Sequence, residues 1–329
     1  MKHLHRCLAL VLSLCLAPAL YAQDDAPDDI DVRTPTNPVE LLPEGGIDKA
    51  DLDFWLVMET KGEGFGQDMY IHWSIKPVDG KLVVQMRQGS ADDGDGAFSM
   101  NKRIVYSAKG KLESFESGMS FGSFGGQTAA GKVQGDTLVI TTQQQSNFDL
   151  PDDVEIEPDL DQGPKTRRVP LKDVEATLTP ELMPLAFGYH ARNGSLSYRF
   201  PMDDLANEMG EGGSMKVEDL GQEPVTFAGQ EHTAHLLSVK MVQKVGLGEE
   251  DFEQTMRMLV LKDGTIMKMF AGEDGIEMNA QRKTFAEVKE KFNLNDDGSP
   301  KAKQADDEDA EDAGDAVDAV EAVEDTVAE

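Results

Sequence analysis

The run Met69-Tyr-Ile-His-Trp-Ser-Ile-Lys-Pro-Val-Asp79-Gly80-Lys-Leu-Val-Val-Gln-Met86 decides the fold class. Side chains of an extended chain alternate with a period of two, so Met69, Ile71, Trp73 and Ile75 share one side of a strand. Leu82, Val84 and Met86 share one side of the next. Between them, Asp79-Gly80 is a residue pair favoured in two-residue type I′ hairpins, where both central positions need a positive φ. That turn sets Ile75 opposite Val84 and Trp73 opposite Met86. Turn chemistry and apolar pattern therefore select the same register.

The same grammar recurs outward in both directions. Lys109-Gly110 separates Ile104-Val105-Tyr106 from Leu112 and Phe115, and Gly135-Asp136 precedes Thr137-Leu138-Val139-Ile140. Asn193-Gly194 reads as a turn between Tyr189 and the run Leu196, Tyr198, Phe200. Asp263-Gly264 joins Met256–Leu261 to Ile266–Phe270, and His235, Leu237, Val239 and Met241 make another one-sided strand. The expected class is mainly β: antiparallel meander sheets, forming a curved sheet or a partly open barrel, with a few short helices and disordered termini. Helix is expected over Pro180–Phe187 behind Thr179, over Met202–Met209, and over Phe285–Phe292. There Thr284 is the N-cap and Glu287 stands at capping-box spacing.

Composition divides the chain. Lys2, His3, His5 and Arg6 precede the apolar run Leu8–Leu16, and small residues follow, the three-part layout of a secretory signal over residues 1–22. Cleavage is expected after Ala22, with Ala19 as the alternative. Cys7 and Cys15 both lie in that segment, so the processed chain would have no disulfide, thiol nucleophile or cysteine metal site. Residues 23–51 read as an acidic, proline-rich linker. Residues 52–147 form a first β block, 148–165 an acidic connection, and 166–294 a second β block with a C-terminal helix. Residues 295–329 read as an acidic, solvated, disordered tail. No later apolar run has membrane length, and the pattern leaves open whether the blocks share one sheet.

The formal net charge is −31, of which −12 lies from Asn295 onward. Such a balance disfavours phosphate backbones and anionic headgroups, so nucleic acid is excluded as a partner and a charged partner is expected to be cationic. No catalytic constellation emerges. Gly126–Lys132 has phosphate-loop spacing, but Val133 stands where a hydroxyl is required. Asp92–Gly96 and Asn293–Gly298 are acidic turns without the terminal acid of a calcium loop. His232 and His235, three apart on a strand, face opposite sides, and His72 takes a polar face beside Tyr70 and Ser74. Serine elbows are absent. Asn193-Gly194-Ser195 matches a glycosylation acceptor but reads as a turn.

The methionines make the candidate ligand-binding set. The Asp263-Gly264 turn is expected to pair Met258 with Met269 and Val260 with Met267, so Met256, Met258, Val260, Met267 and Met269 would form one face. Thioethers pack as core, adapt to varied apolar ligands, or bind copper(I).

Glu223-Pro-Val225, Phe227-Ala-Gly229, His235–Val239 and Leu259–Leu261 with Asp263-Gly264-Thr-Ile266 give Gly221–Ala286 an order that resembles the DUF3108-like envelope β-proteins. More loosely, it resembles the LolA/LolB-like lipoprotein carriers. The resemblance implies an exported protein with a curved antiparallel sheet, and for the carriers a concave face that holds acyl chains. It carries over no functional residue. The sequence is therefore read as an exported, periplasmic or secreted, non-enzymatic protein without cofactors or metal. Its expected partner is an apolar ligand or a protein held on a β-sheet face. The alternatives are an assembly partner whose acidic tail engages a basic protein surface, and a hydrolase.

Overall fold

The computed structural model describes residues 37–43, 46–61, 68–90, 97–122, 125–145, 163–170, 179–194, 196–200, 213–243, 252–273 and 276–301. Strands β1 (Leu52–Lys61), β2 (Met69–Val78), β3 (Lys81–Ser90), β4 (Phe98–Tyr106), β5 (Leu112–Phe121), β6 (Gly126–Gln134), β7 (Thr137–Gln145) and β8 (Lys165–Pro170) follow one another as antiparallel neighbours. So do β9 (Leu196–Phe200), β10 (Gly213–Phe227), β11 (Gln230–Gln243), β12 (Phe252–Val260), β13 (Ile266–Glu273) and β14 (Ile276–Lys283). Pairing of β1 with β14, from Trp55↔Lys283 to Lys61↔Glu277, merges both blocks into one 14-stranded sheet. Its edges are β8 and β9, which do not pair with each other among the described residues.

The expected register holds at the first hairpin. Asp79 and Gly80 have φ of 51° and 73°, Val78 pairs with Lys81, Ile75 with Val84 and Trp73 with Met86. The tight turns (79–80, 108–110, 135–136, 228–229, 262–264) all fall at one end of the sheet, and the longer connections at the other.

A sheet this wide leaves more space on its inner side than facing side chains can fill. Helix α1 (Met183–Asn193), entered through the 3-10 turn Pro180–Leu182, occupies it at the tight-turn end. Pro184, Leu185, Ala186, Phe187, Gly188, His190 and Ala191 are all buried, so the helix is covered nearly all round, as a core helix must be. It packs into the same cluster as Phe54, Leu56, Ile71, Ile75, Leu138, Ile140, Leu237 and Val239. The outer face of β1 and β2 is sealed by α2 (Phe285–Lys291), where Trp55, Val57 and Tyr70 meet Val288 and Phe292. Its capping box is present as expected: Thr284 Oγ1 accepts from the Glu287 amide, and the Thr284 amide donates to Glu287 Oε2 at 2.8 Å.

Several local readings are corrected. Asn193-Gly194 is not a hairpin turn. Gly194, at φ 88°, ends α1 by donating its amide to His190 O. Thr179 does not cap the helix with its side chain, which instead meets the Tyr106 hydroxyl at 3.3 Å. The helix runs to Asn193 rather than Phe187 because its continuation, Tyr189–Ala191, still faces the core. Residues 37–43 and 46–50, placed in an extended linker, are folded: Leu41, Leu42, Ile47 and Ala50 are buried, and Asn37 Nδ2 donates to Lys109 O at 2.8 Å. Beyond Asn295 the chain stays packed to Lys301, with Leu294 bridged to Pro300. The expected helix Met202–Met209 and the loop Asp92–Gly96 lie outside the described residues.

Gly264 gives a direct test of the plug. Its φ is +102°, and a Cβ there would meet Pro184 O at 2.2 Å, whereas Gly229, at φ +77°, has open space. Gly229→Ala is expected to cost about 1 kcal/mol, the left-handed backbone penalty alone. Gly264→Ala is expected to cost about 3 kcal/mol, because backbone blocks the added carbon. Urea unfolding of the two variants measures the difference; equal losses would mean that α1 does not press on that turn.

Candidate functional site

Four of the five residues in the expected ligand set share the inner face. Met256, Met258, Val260 and Met269 belong to the main core, at 0–5% exposure. Met258 pairs with Met269 as expected, but Val260 pairs with Ile266 and not with Met267. The turn is one residue longer than Asp263-Gly264: Leu261 and Thr265 close it, with the Leu261 amide donating to Thr265 O at 2.9 Å. A bulge at Met267 then restores the register of Met258 and Met269. Met267 consequently points to the outer face, among Val225, Ala234 and Leu259, with Arg282 Nη1 at 3.5 Å from its sulfur. The inner face is rich in methionine throughout: Met58, Met69, Met86, Met100, Met215, Met256, Met258, Met269 and Met278 are buried in one cluster.

Polar groups anchor the plug above this face. The Lys102 ammonium reaches Glu181 Oε1 at 3.1 Å with both side chains largely buried. Burial pushes the Glu181 carboxyl up, but Lys102 and nearby hydrogen bonds outweigh it and hold the group below its ordinary value. Arg192 donates to Leu41 O at 2.8 Å and to Lys262 O at 2.7 Å, tying α1 to the N-terminal segment and to the β12–β13 turn.

A second polar cluster was not legible in the sequence. His235 Nδ1 lies 2.8 Å from Asp219 Oδ2, and its Nε2 lies 3.2 Å from Gln222 Nε2. His190 of α1 is buried within electrostatic reach of both Asp219 and His235, and neither of its ring nitrogens has a hydrogen-bond partner. Burial holds the His190 pKa below its ordinary value, with Asp219 opposing and His235 assisting. Among the described residues no group of three acids, histidines or cysteines is placed to hold a metal ion. Among the described residues neither His190 nor His235 is hydrogen-bonded to a hydroxyl. His232 falls on the opposite side of β11 from His235, as the spacing required. His72 lies on the outer face, stacked on Trp55 at 4.0 Å and 7° and bonded to Asp53 at 2.8 Å. That bond, against the effect of burial, holds Asp53 at about 2.

The outer face carries a cleft of about 440 Å³. Ser99 and Asn101 of β4, Gly118 and Ser120 of β5, and Gly126 and Thr128 of β6 supply a floor of small polar residues. Tyr70, Arg87 and the C-terminal turn Gly298–Pro300 bound it. Tyr70 lies flat across β3 because position 89 is glycine: a Cβ there would sit 2.6 Å from the ring. Arg87 Nη1 donates to Asp297 O at 2.5 Å and so fixes that turn beside the cleft. In register, cations step away from Arg87 across the outer face: Arg103 on β4, Lys132 on β6, and Arg168 on β8 opposite Val139.

No family model matches the sequence, and no curated protein matches it. Among solved structures, the chain is similar to the β-barrel-like protein of the domain of unknown function DUF1849 from Brucella abortus. The identity is 10% and the TM-score 0.43, over 71% of this chain and 98% of that one. It is also similar to the hypothetical lipoprotein YmcC from Escherichia coli, with 9% identity and a TM-score of 0.23, over 80% of this chain and 99% of that one. At these scores neither likeness bears on function. Among the described residues no helix is long and apolar enough to cross a membrane.

The buried ion pair and the buried histidine respond differently to mutation. Lys102→Met leaves the Glu181 carboxylate buried without its partner and is expected to cost about 3–5 kcal/mol, whereas Lys102→Met with Glu181→Leu recovers most of it. Chemical denaturation of both variants checks this, and a single variant as stable as the parent would contradict it. His190 sets a pH dependence. Its folded pKa is depressed below an unfolded value of about 6.5, so the unfolded chain takes up the proton first. The stability it contributes is present above that value and is lost as pH falls through the folded one. His190→Phe is expected to flatten the stability profile between about pH 7.5 and 5.5, while Asp219 and His235, which face it, remain. An unchanged slope would show that the histidine binds its proton equally in the folded and unfolded chain.

Proposed function

We propose that this chain is an exported, non-enzymatic binding protein that lays an extended acidic segment of a protein partner along the outer face of β3–β8. Export rests on the signal-like layout of residues 1–22. The observation that carries the binding reading is the local charge. In a chain of net −31, strands β3–β8 hold Lys81, Arg87, Lys102, Arg103, Lys132, Lys165, Arg167 and Arg168 against only Glu113 and Glu116.

Of these, Arg87, Arg103, Lys132 and Arg168 stand on the outer face; Arg87 lines the cleft and the others step away from it toward the tight-turn end, interrupted by Glu116 opposite Arg103. Lys81 is tied to Glu113 at 2.6 Å. The whole-chain balance pointed to a cationic partner, but strands β3–β8 depart from that balance. The flat floor suits an extended chain, because Gly118 leaves open space above the backbone. Charge-assisted contacts from Arg87, Arg103, Lys132 and Arg168 would fix its path.

A second reading keeps the apolar ligand on the inner face, at Met256, Met258, Val260 and Met269. The nine buried methionines favour it, because thioether side chains repack around varied shapes at low cost. Those side chains are closed to solvent, so a guest would enter only if α1 moved away from them. Native mass spectrometry of protein purified from its producing cell separates the two readings: a lipid-sized adduct supports the second, and a bare chain mass removes it.

The first reading is tested with poly-glutamate of about 20 residues, long enough to cross the strip, by fluorescence anisotropy at about 20 mM and about 150 mM salt. Binding is expected at low salt, weakening at least tenfold at high salt. It is expected to disappear in Lys132→Glu/Arg168→Glu. Equal binding by that variant would sink the reading.

A further inference from the structure

We infer that the acidic segment Asp306–Glu329 of the same chain occupies the basic strip in cis and so competes with any acidic partner; this rests on the reading of the outer face given above. Three observations converge on it. Residues 306–329 contain twelve acidic and no basic residues. The strip it would meet, Arg87–Arg103–Lys132–Arg168, is a run of outward-facing cations in a strongly acidic chain. Arg103, Lys132 and Arg168 enter no ion pair among the described residues.

The third observation is where Lys301, the last described residue, lies. The turn Gly298–Pro300 lines the cleft itself, and Arg87 holds Asp297 O at the cleft's edge. The segment after Lys301 is therefore attached beside the strip's first cation. Five strand spacings of about 4.8 Å separate β3 from β8, or roughly 24 Å, which an extended chain covers in about eight residues. Residues 302–329 span several times that length. Docking demands no rearrangement of the sheet and no long detour.

Tethering supplies the advantage over an external ligand. A segment joined by a short linker is present at an effective concentration on the order of millimolar. A cis contact of only about 100 μM would then be occupied roughly ten to one, and a competing acidic peptide would bind about tenfold more weakly. The contact is electrostatic and exposed, so salt near physiological strength, with a Debye length of about 8 Å, loosens it. The tail would act as a graded competitor.

The test uses the full-length chain and a variant in which the twelve tail acids are replaced by Asn or Gln. The probe is a synthetic peptide with the sequence Asp306–Glu329, followed by anisotropy at low salt. The neutral-tail variant is expected to bind the peptide at least tenfold more tightly than the parent, and the added changes Lys132→Glu/Arg168→Glu are expected to abolish that binding. Equal affinity of parent and neutral-tail variant overturns the cis contact and leaves the outer-face site standing. No binding by the neutral-tail variant overturns both.

Discussion

The pairing of β1 with β14 makes the two halves one body. Every other strand pairs with its neighbour in sequence, so without this seam the chain would be two separate meanders, each exposing its inner face. β1 shows the demands of the position. Leu52, Phe54, Leu56 and Met58 face the core while Trp55 and Val57 lie buried under α2 on the other side. A strand buried on both faces reads as a continuous apolar run, which is why Phe54–Met58 does not alternate.

Curvature created at the seam has to be filled, and α1 fills it. The helix is anchored by groups that lose more from partial separation than apolar contacts do. A buried Lys102–Glu181 pair and two carbonyl bonds from Arg192 leave uncompensated polar groups if the plug shifts. His190 sits on the same helix without hydrogen bonds, so the plug combines firm anchors with one weak point. Methionine on the facing strands suits this arrangement, since its side chain fills an irregular gap between sheet and helix.

Much of the fold was legible where two local signals coincide. At Asp79-Gly80 the turn residues and the apolar alternation demand one register, and at Thr284–Glu287 the capping box marks the helix start. Legibility failed where a single residue changes parity. The three-residue turn before Thr265 and the bulge at Met267 cancel over the hairpin, so Met258 and Met269 still meet, yet Met267 itself changes side. Asn193-Gly194 was ambiguous because a helix terminus and a hairpin both call for a left-handed residue. Strand β8, Lys-Thr-Arg-Arg-Val-Pro, has no alternation to read. The convergence of His190, Asp219 and His235 depends on a helix packed across the sheet, and the cationic strip depends on the register of six strands. Neither has a short-range signature, and the net charge of the whole chain conceals the second.

The turn arrangement has a kinetic meaning. Twelve of the thirteen strand pairings join neighbours in sequence, so each half can assemble by adding one hairpin at a time. The seam joins Trp55 to Lys283, across nearly the whole folded chain. Loop-closure entropy rises only slowly with length, so two preassembled halves lower the cost of that last step considerably. Until it happens, β1 and β14 are both free rims, open to pairing with the same rims of another molecule. Newly made chains at high local density therefore face a choice between closing on themselves and exchanging halves with a neighbour.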